Sequence, residues 1–118
     1  MNPFEPQSIT GPEAQIEKKV MAKLREFEWF VKKIHGNAYQ SGLPDLFAAH
    51  ARYGQRWIEI KYIEKYSFTQ AQQQDFPALQ AAGVGIWILT DDSVTELAKL
   101  FKPPNWQEYY LRWVHGVK

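Results

Sequence analysis

Three charged side chains, Asp45, Glu59 and Lys61, interrupt two otherwise apolar stretches in the middle of the sequence. If these stretches form neighbouring antiparallel strands, Asp45 and Glu59 can converge on one metal ion. Lys61 follows Glu59 by two residues, so its side chain points to the same face of the second strand. Magnesium prefers oxygen ligands and usually binds through one or two carboxylates, waters and phosphate oxygens. This set could therefore support phosphodiester hydrolysis, which needs a divalent cation, an activated water and charge stabilisation at phosphorus.

Each part of this pattern also has an ordinary structural explanation. Pro44-Asp45 is a common turn dipeptide, and Glu59-Ile60-Lys61 can form the outward polar face of an edge strand. The combination is more specific than its parts, because apolar strands surround both pieces and an acidic residue stands on a preceding predicted helix.

The first element that must position these groups is a helix from Pro12 to about Phe27. Gly11 as a possible cap, then Pro12 and Glu13, are typical of a helix start. Glu13 would project near the middle of the apolar stripe of this helix, where an acid is costly unless something pairs with it. Alternatively, Glu13 only favours the positive helix N-terminus, by about a few tenths of a kcal/mol. The stripe has spacings of four, four and three: Ile16, Val20, Leu24 and Phe27.

The remaining pattern predicts three strands, a helix, a strand and a helix. The segment 28–35 could extend the first helix, but its aromatic and β-branched residues favour a strand that ends near His35, with Trp29, Val31 and Lys33 on one face. Pro77 is expected to kink or delay the second helix. The apolar strand at 86–90 is expected at the centre of the sheet, covered on both faces. The other elements are strands at 43–51 and 55–63, a helix within 67–85 that Phe68 and Thr69 introduce, and a helix within 91–101 with Val94, Leu97, Ala98 and Phe101 at helical spacing.

An aromatic stripe stands near the C-terminus, at Trp106, Tyr109, Tyr110 and Trp113. Such a stripe could be core, a partner surface or a platform on which bases stack. Core and oligomer interface are its commoner fates, so the stripe is a candidate dimer interface.

Composition limits the class of protein. The chain has 118 residues, 45% hydrophobic and 23% charged, as expected for one globular domain. We expect a loose, Pro-rich arm at 1–11 and a single domain at 12–118. The absence of cysteine excludes thiol catalysis and suits a reducing, cytoplasmic interior. No signal peptide and no run of about 18 apolar residues is found, so no membrane span is expected. A net charge of +1 neither indicates nor excludes a nucleic-acid partner.

The run Leu43-Pro44-Asp45 … Glu59-Ile60-Lys61 resembles the PD-(D/E)XK nuclease signature. It is more similar to the VRR-NUC branch, found in small phage and bacterial proteins and appended to larger repair nucleases. The likeness spans about residues 13–100. It implies an α/β fold with an αβββαβ restriction-endonuclease-like core, in which helices flank a mixed sheet and C-terminal helices are added. The branch-like segments are PEAQIEKKV, KIHGNAYQSGLPDLF, WIEIKY, FTQAQ and LQAAGVGIWIL.

The resemblance implies a metal site for Mg²⁺, for which Mn²⁺ would substitute. Asp45 and Glu59 would be metal ligands, joined by the backbone carbonyl of Ile60. Lys61 would be the catalytic lysine. No organic cofactor is implied.

Two further groups correspond to polar positions of this branch. Glu13 matches the acid on the first helix and would hold a metal-bound water, with Glu17 as the alternative. Gln72 matches the glutamine that follows the lysine and would touch Lys61 or the waters of the metal.

Contacts to DNA are expected near the metal strand, at Lys33, His35, Tyr39, Ser41 and Lys65. His35 and His50 have no metal-ligand spacing with another histidine, which favours a structural or surface role for both.

The resemblance predicts a Mg²⁺-dependent endonuclease that hydrolyses DNA. A domain of this size has little surface for base recognition, which favours selection by DNA shape or branching. A resolvase that cuts a four-way junction symmetrically needs two active sites and hence a homodimer. The alternatives are a flap, nicking or non-specific nuclease with the same site, and a non-catalytic nucleic-acid-binding module on the same fold.

Overall fold

A computed structural model describes residues 11–34 and 42–116 of the chain. Most of the predicted N-terminal arm lies outside these residues. The predicted order, one helix, three strands, a helix, a strand and helices, is confirmed. The elements are α1 (Pro12–Glu26), β1 (Phe30–Lys33), β2 (Leu46–His50), β3 (Gly54–Ile60), α2 (Gln70–Ala81), β4 (Ile86–Leu89), α3 (Val94–Leu97), a 3₁₀ helix (Ala98–Phe101) and α4 (Trp106–His115).

The strands form one mixed sheet in the order β1-β2-β3-β4. β1, β2 and β3 pair antiparallel, and β4 runs parallel to β3. In the β2–β3 hairpin Leu46 pairs with Ile58 and His50 with Gly54. Gly54 has a φ of +83°, a left-handed conformation that glycine adopts without the steric penalty of a β-carbon. This register decides which residues precede β2 and oppose the end of β3.

Alternation along β2 and β3 gives the sheet two different faces. Leu46 and Ala48 on β2 and Ile58 and Ile60 on β3 are buried on one face. They pack in a cluster with α1 and with the segment after β4, through residues that include Val20, Leu24, Leu97 and Leu100. Because side chains alternate, Glu59 between the two isoleucines must point to the opposite face.

The opposite face is covered by α2 and by the aromatic stripe of α4. Trp106 and Tyr109 are buried, and Tyr110 and Trp113 pack against the same cluster, which also contains Phe68, Phe76, Ile86 and Ile88. Of its possible roles, core within the chain is therefore the one that Trp106 and Tyr109 take. Trp106 also donates a hydrogen bond to the Gln80 side chain at 2.7 Å, which ties α4 to α2.

Three residues predicted on apolar stripes are exposed instead: Phe27, Val94 and Phe101. α1 ends at Glu26, and Phe27 is its C-cap residue with a φ of −93° and a ψ of 19°, so the helical spacing no longer sets the position of this side chain. After α3 the chain tightens into a 3₁₀ helix with three residues per turn, which places Leu97 and Leu100 inward.

The prediction that the strand at 86–90 is central is wrong. All four residues of β4 are buried, as predicted for a strand covered on both faces, but β4 is the edge of the sheet among the described strands. The Asn105 side chain covers this edge: its Oδ1 accepts from the Ile88 N–H at 2.6 Å, and its Nδ2 donates to the Ile88 carbonyl at 3.2 Å. A side-chain amide thus replaces the missing neighbouring strand.

α2 starts at Gln70 and continues through Pro77, so the proline does not delay the helix. Thr69 caps its N-terminus. Within the described part of the chain, no helix is long and apolar enough to cross a membrane.

Candidate active site

Asp45 and Glu59 lie opposite each other at the end of the β2–β3 hairpin. Asp45 stands one residue before β2 rather than inside the strand predicted at 43–51. Its backbone N–H donates to Oε1 of Glu59 at 3.1 Å, and its own Oδ2 accepts from the Ile60 N–H at 2.8 Å. Each carboxylate is therefore held by the backbone of the other's segment, which fixes both side chains without a ligand.

Lys61 follows the last residue of β3 and continues its alternation. Its backbone N–H donates to the Leu89 carbonyl at 3.1 Å, so the segment stays attached to β4. Its ammonium lies 3.1 Å from Oε2 of Glu59, and both side chains are only 4% exposed. Glu59 and Lys61 therefore share one face, as their spacing predicts.

Gln72 connects this pair to the start of α2. Its Oε1 accepts from the Lys61 ammonium and from the Thr69 N–H, both at 3.1 Å. Its Nε2 donates to Oε2 of Glu59 at 2.8 Å. The Thr69 hydroxyl accepts from the Gln72 N–H in return, which completes a capping box. One glutamine thus starts the helix and orients both ionic side chains.

The two acids of α1 line the same cleft, but not as the apolar stripe predicts. Glu13 is exposed, whereas Glu17 is buried. The prediction that Glu13 lies at the centre of the buried stripe is therefore wrong. Glu17 Oε1 lies 3.3 Å from the Lys33 ammonium on β1.

The site concentrates negative charge away from water. Burial raises the pKa of Glu59 to about 8, and the neighbouring Asp45 adds to the rise, while Lys61 opposes it. Burial likewise raises the pKa of Asp45, against the hydrogen bond from the Ile60 N–H. Burial and then Asp45 raise the pKa of Glu17. These rises share one largest cause, which is burial of the carboxyl groups, and neighbouring acids add to it.

The cleft has a volume of about 780 Å³ and is lined by residues of α1, the β2–β3 end and the start of α2. Lys33 and Lys65, which the sequence predicts as contacts to DNA, both line this cleft. The other residues predicted to contact DNA, His35, Tyr39 and Ser41, lie outside the described residues.

The donor set fits a magnesium or manganese ion. Within residues 11–34 and 42–116, no three acidic or histidine side chains converge as a ligand group. Two carboxylates are nevertheless the usual protein contribution to a Mg²⁺ site, where waters and substrate oxygens complete the coordination. Asp45 lies close enough to Glu59 to raise the pKa of the Glu59 carboxyl, and a divalent cation would remove that repulsion.

A second, apolar cavity of about 570 Å³ shares no lining residue with this cleft. His50 lines it, with its ring centroid 5.1 Å from that of Trp29 and its Nδ1 accepting from the Arg52 N–H. His50 therefore packs among aromatic side chains, in agreement with the structural role expected from its isolation in the sequence.

Sequence reasoning missed one neighbour of the site, Phe68. The Lys61 ammonium lies over the Phe68 ring, 4.6 Å from its centroid. In the sequence Phe68 only introduces α2, and no spacing rule links it to Lys61. The capping pattern of Thr69 and Gln72 marks where α2 begins, and this was the only sequence signal near Phe68.

Comparisons with known proteins report one informative likeness. No protein-family model matches the chain, and no curated protein matches it. A solved structure described as a VRR_NUC domain superposes with a TM-score of 0.63 and 18% sequence identity, over 79% of this chain and 97% of that chain. A Holliday junction resolvase, Hjc of Archaeoglobus fulgidus, has a TM-score of 0.49 and 16% identity, over 65% of this chain and 66% of that chain. The first likeness confirms the restriction-endonuclease-like fold that the sequence resemblance implied.

Proposed function

We propose that the protein is a divalent-metal-dependent endonuclease that hydrolyses DNA phosphodiester bonds. The observation that carries the proposal is that Asp45 and Glu59 each accept a hydrogen bond from the backbone of the other's segment. Lys61 and Gln72 both contact the carboxylate of Glu59. A purely structural ion pair would need only Glu59 and Lys61. The second carboxylate, placed in an open cleft, favours a cation site.

Asp45 and Glu59 would hold the cation, with the Ile60 carbonyl as a further oxygen ligand. Mg²⁺ is the expected ion, and Mn²⁺ would substitute for it. When bound, the ion would polarise the phosphate and lower the pKa of the attacking water. Backbone donors already hold both side chains at the same end of the hairpin.

Lys61 would place a positive charge beside the phosphate or hold the attacking water. Gln72 restricts the Lys61 ammonium on one side and Glu59 on the other. Glu17 or Glu13 at the cleft wall would hold a water through a carboxylate oxygen. Asp45 contributes to the raised pKa of Glu17, and Glu13 contributes to the raised pKa of Asp45, so both acids lie close enough to the site for this role.

The substrate would be recognised by its shape. Lys33 and Lys65 line the cleft and offer contacts to phosphates, which position DNA without reading its sequence. The net charge of +1 provides little general affinity for a duplex. We therefore favour branched DNA such as a four-way junction, cut symmetrically by a homodimer.

A cleavage assay tests the proposal. Four-way junction, flap, duplex and single-stranded DNA are incubated with the protein in Mg²⁺, in Mn²⁺ and in EDTA. We expect cleavage with either metal and none in EDTA, with the junction cut fastest. Asp45→Asn and Lys61→Ala should lose cleavage while DNA binding in EDTA, measured by gel shift, is retained.

Glu26→Gln is the matched control, because Glu26 is an exposed acid on α1 that does not line the cleft. This variant should cleave like the wild type. Full activity of Asp45→Asn would refute the site assignment. DNA binding without cleavage by the wild type in any metal would instead identify a non-catalytic binding module.

A further inference from the structure

The Lys61 ammonium is buried between two polar partners and one aromatic ring. Glu59 and Gln72 each offer an oxygen at 3.1 Å. The Phe68 ring lies beneath the same nitrogen, 4.6 Å from centroid to ammonium. A cation over an aromatic face is attracted by the negative potential of the ring, and the attraction grows when both groups are removed from water. Lys61 and Phe68 are 4% and 3% exposed.

The Phe68 ring is itself held in place by neighbouring aromatic side chains. Tyr110 and Phe76 meet it nearly edge to face, with interplanar angles of 86° and 88° and centroid distances of 5.4 and 6.2 Å. Trp113 lies 5.7 Å away. Two of these three rings belong to α4, which follows the predicted αβββαβ core. Such packing fixes the plane of the ring, and with it the face that meets Lys61.

We propose that Phe68 is a positioning residue for Lys61: its ring face holds the buried ammonium beside Glu59, and the aromatic side chains of α4 fix that ring. The inference rests on the proposed nuclease function for its catalytic meaning. It also assigns α4 a role in the site. No residue of α4 lines the cleft, but Tyr110 and Trp113 of α4 contact Phe68, and Phe68 contacts Lys61.

Fluorinated phenylalanines at position 68 provide the sharpest test. Successive fluorines weaken the negative potential of the ring face while nearly preserving its shape. With mono-, di- and trifluorinated residues, kcat for DNA cleavage should fall stepwise, by about tenfold in total, while KM changes little. The same residues at Phe101, which lines the separate apolar cavity and does not line the cleft, should leave kcat unchanged. A purely structural role predicts no dependence on fluorine at either position.

A spectroscopic measurement tests the contact without cleavage. The side-chain methylene protons of Lys61 should be shifted upfield by the ring current, relative to those of the exposed Lys65. Phe68→Leu should abolish this shift and lower kcat, while Phe68→Tyr should retain the shift and most of the activity. An unshifted Lys61 in the wild type would overturn the proposed contact.

The two hypotheses fail in different ways. A wild type without nuclease activity overturns the proposed function. An active wild type whose kcat is indifferent to fluorination at Phe68 overturns the positioning role alone.

Discussion

Replacing Glu59 with glutamine is expected to stabilise the metal-free protein at alkaline pH, although the same change should abolish cleavage. The reason is that Glu59 is 3% exposed and lies beside Asp45, so its ionised form is disfavoured in the folded state. Glutamine has nearly the shape of the protonated acid and carries no charge. It should therefore retain the volume of Glu59 and remove the repulsion from Asp45, at the cost of one oxygen that accepts a hydrogen bond in the wild type and of the charge that faces Lys61.

The magnitude follows from linkage between proton binding and folding. Burial raises the pKa of Glu59 from 4.5 to about 8. Between these values the folded protein keeps a proton that the unfolded chain has released, so stability falls as pH rises. From pH 5 to pH 8 this loss amounts to about 3–4 kcal/mol. Glu13, Glu17 and Asp45 also have raised pKa values and act in the same direction; Glu13 is exposed and contributes least.

Urea unfolding in EDTA between about pH 5 and pH 8, followed by tryptophan fluorescence, measures the effect. The free energy of unfolding of the wild type should fall across this range, and most of the fall should be absent in Glu59→Gln. The two proteins should be similar near pH 5, where Glu59 is protonated in the folded state. Glu26→Gln, at an exposed position on α1, should follow the wild type. Equal slopes for the wild type and Glu59→Gln would refute the claim that burial of this carboxylate limits stability.

Three other predictions concern the metal, the start of α2 and the edge of β4. Mg²⁺ at about a hundred times its Kd should stabilise the wild type by about 2.7 kcal/mol in urea unfolding; Asp45→Asn should show no such gain, and a gain equal to that of the wild type would argue against Asp45 as a ligand. Gln72→Ala should lower the free energy of unfolding by about 1–3 kcal/mol, because it removes a cap and leaves Lys61 and Glu59 with fewer partners; an unchanged urea midpoint would contradict this. Asn105→Ala should lower the free energy of unfolding by about 1–3 kcal/mol, because it removes the hydrogen bonds to Ile88 at the edge of β4. The loss should be detectable as a lower Tm. Gln107→Ala, at an exposed position two residues later, should leave Tm unchanged.

The order of elements could be predicted from local signals. Period-two alternation marks β2 and β3, and Pro12, Thr69 and Ser93 stand at helix starts, where the structure places them. These signals depend on a few consecutive residues. The exposed stripe residues Phe27 and Phe101 show the limit of that approach, since Phe27 lies just past the end of α1 and Phe101 lies in a 3₁₀ turn, where α-helical spacing no longer applies.

The position of β4 could not be predicted, because hydrophobicity reports coverage of the two faces and not the number of strand neighbours. β4 is apolar throughout since clusters cover it from both sides. What protects its edge is Asn105, whose role depends on hydrogen bonds to Ile88, 17 residues away in the sequence. No local pattern distinguishes this asparagine from one in an ordinary loop.

The candidate site shows the same division between local and tertiary information. Asp45, Glu59 and Lys61 could be predicted together because a hairpin register and a two-residue spacing fix their relation. Glu13 and Glu17 could not be separated, since residues four apart on a helix lie on nearly the same face. Their burial depends on tertiary contacts: Glu17 lies 3.3 Å from the Lys33 ammonium on β1, whereas Glu13 is exposed.

The start of α2 contacts the Lys61 ammonium and should be mutated first. Strand geometry brings Asp45, Glu59 and Lys61 together, but the orientation of Lys61 depends on Gln72 and Phe68 at the start of α2. The position of that segment depends in turn on a capping box and on aromatic packing against α4. Under the proposed positioning role of Phe68, substitutions in α4 should affect DNA cleavage more than their distance in sequence suggests, because they would act on Lys61 through the Phe68 ring.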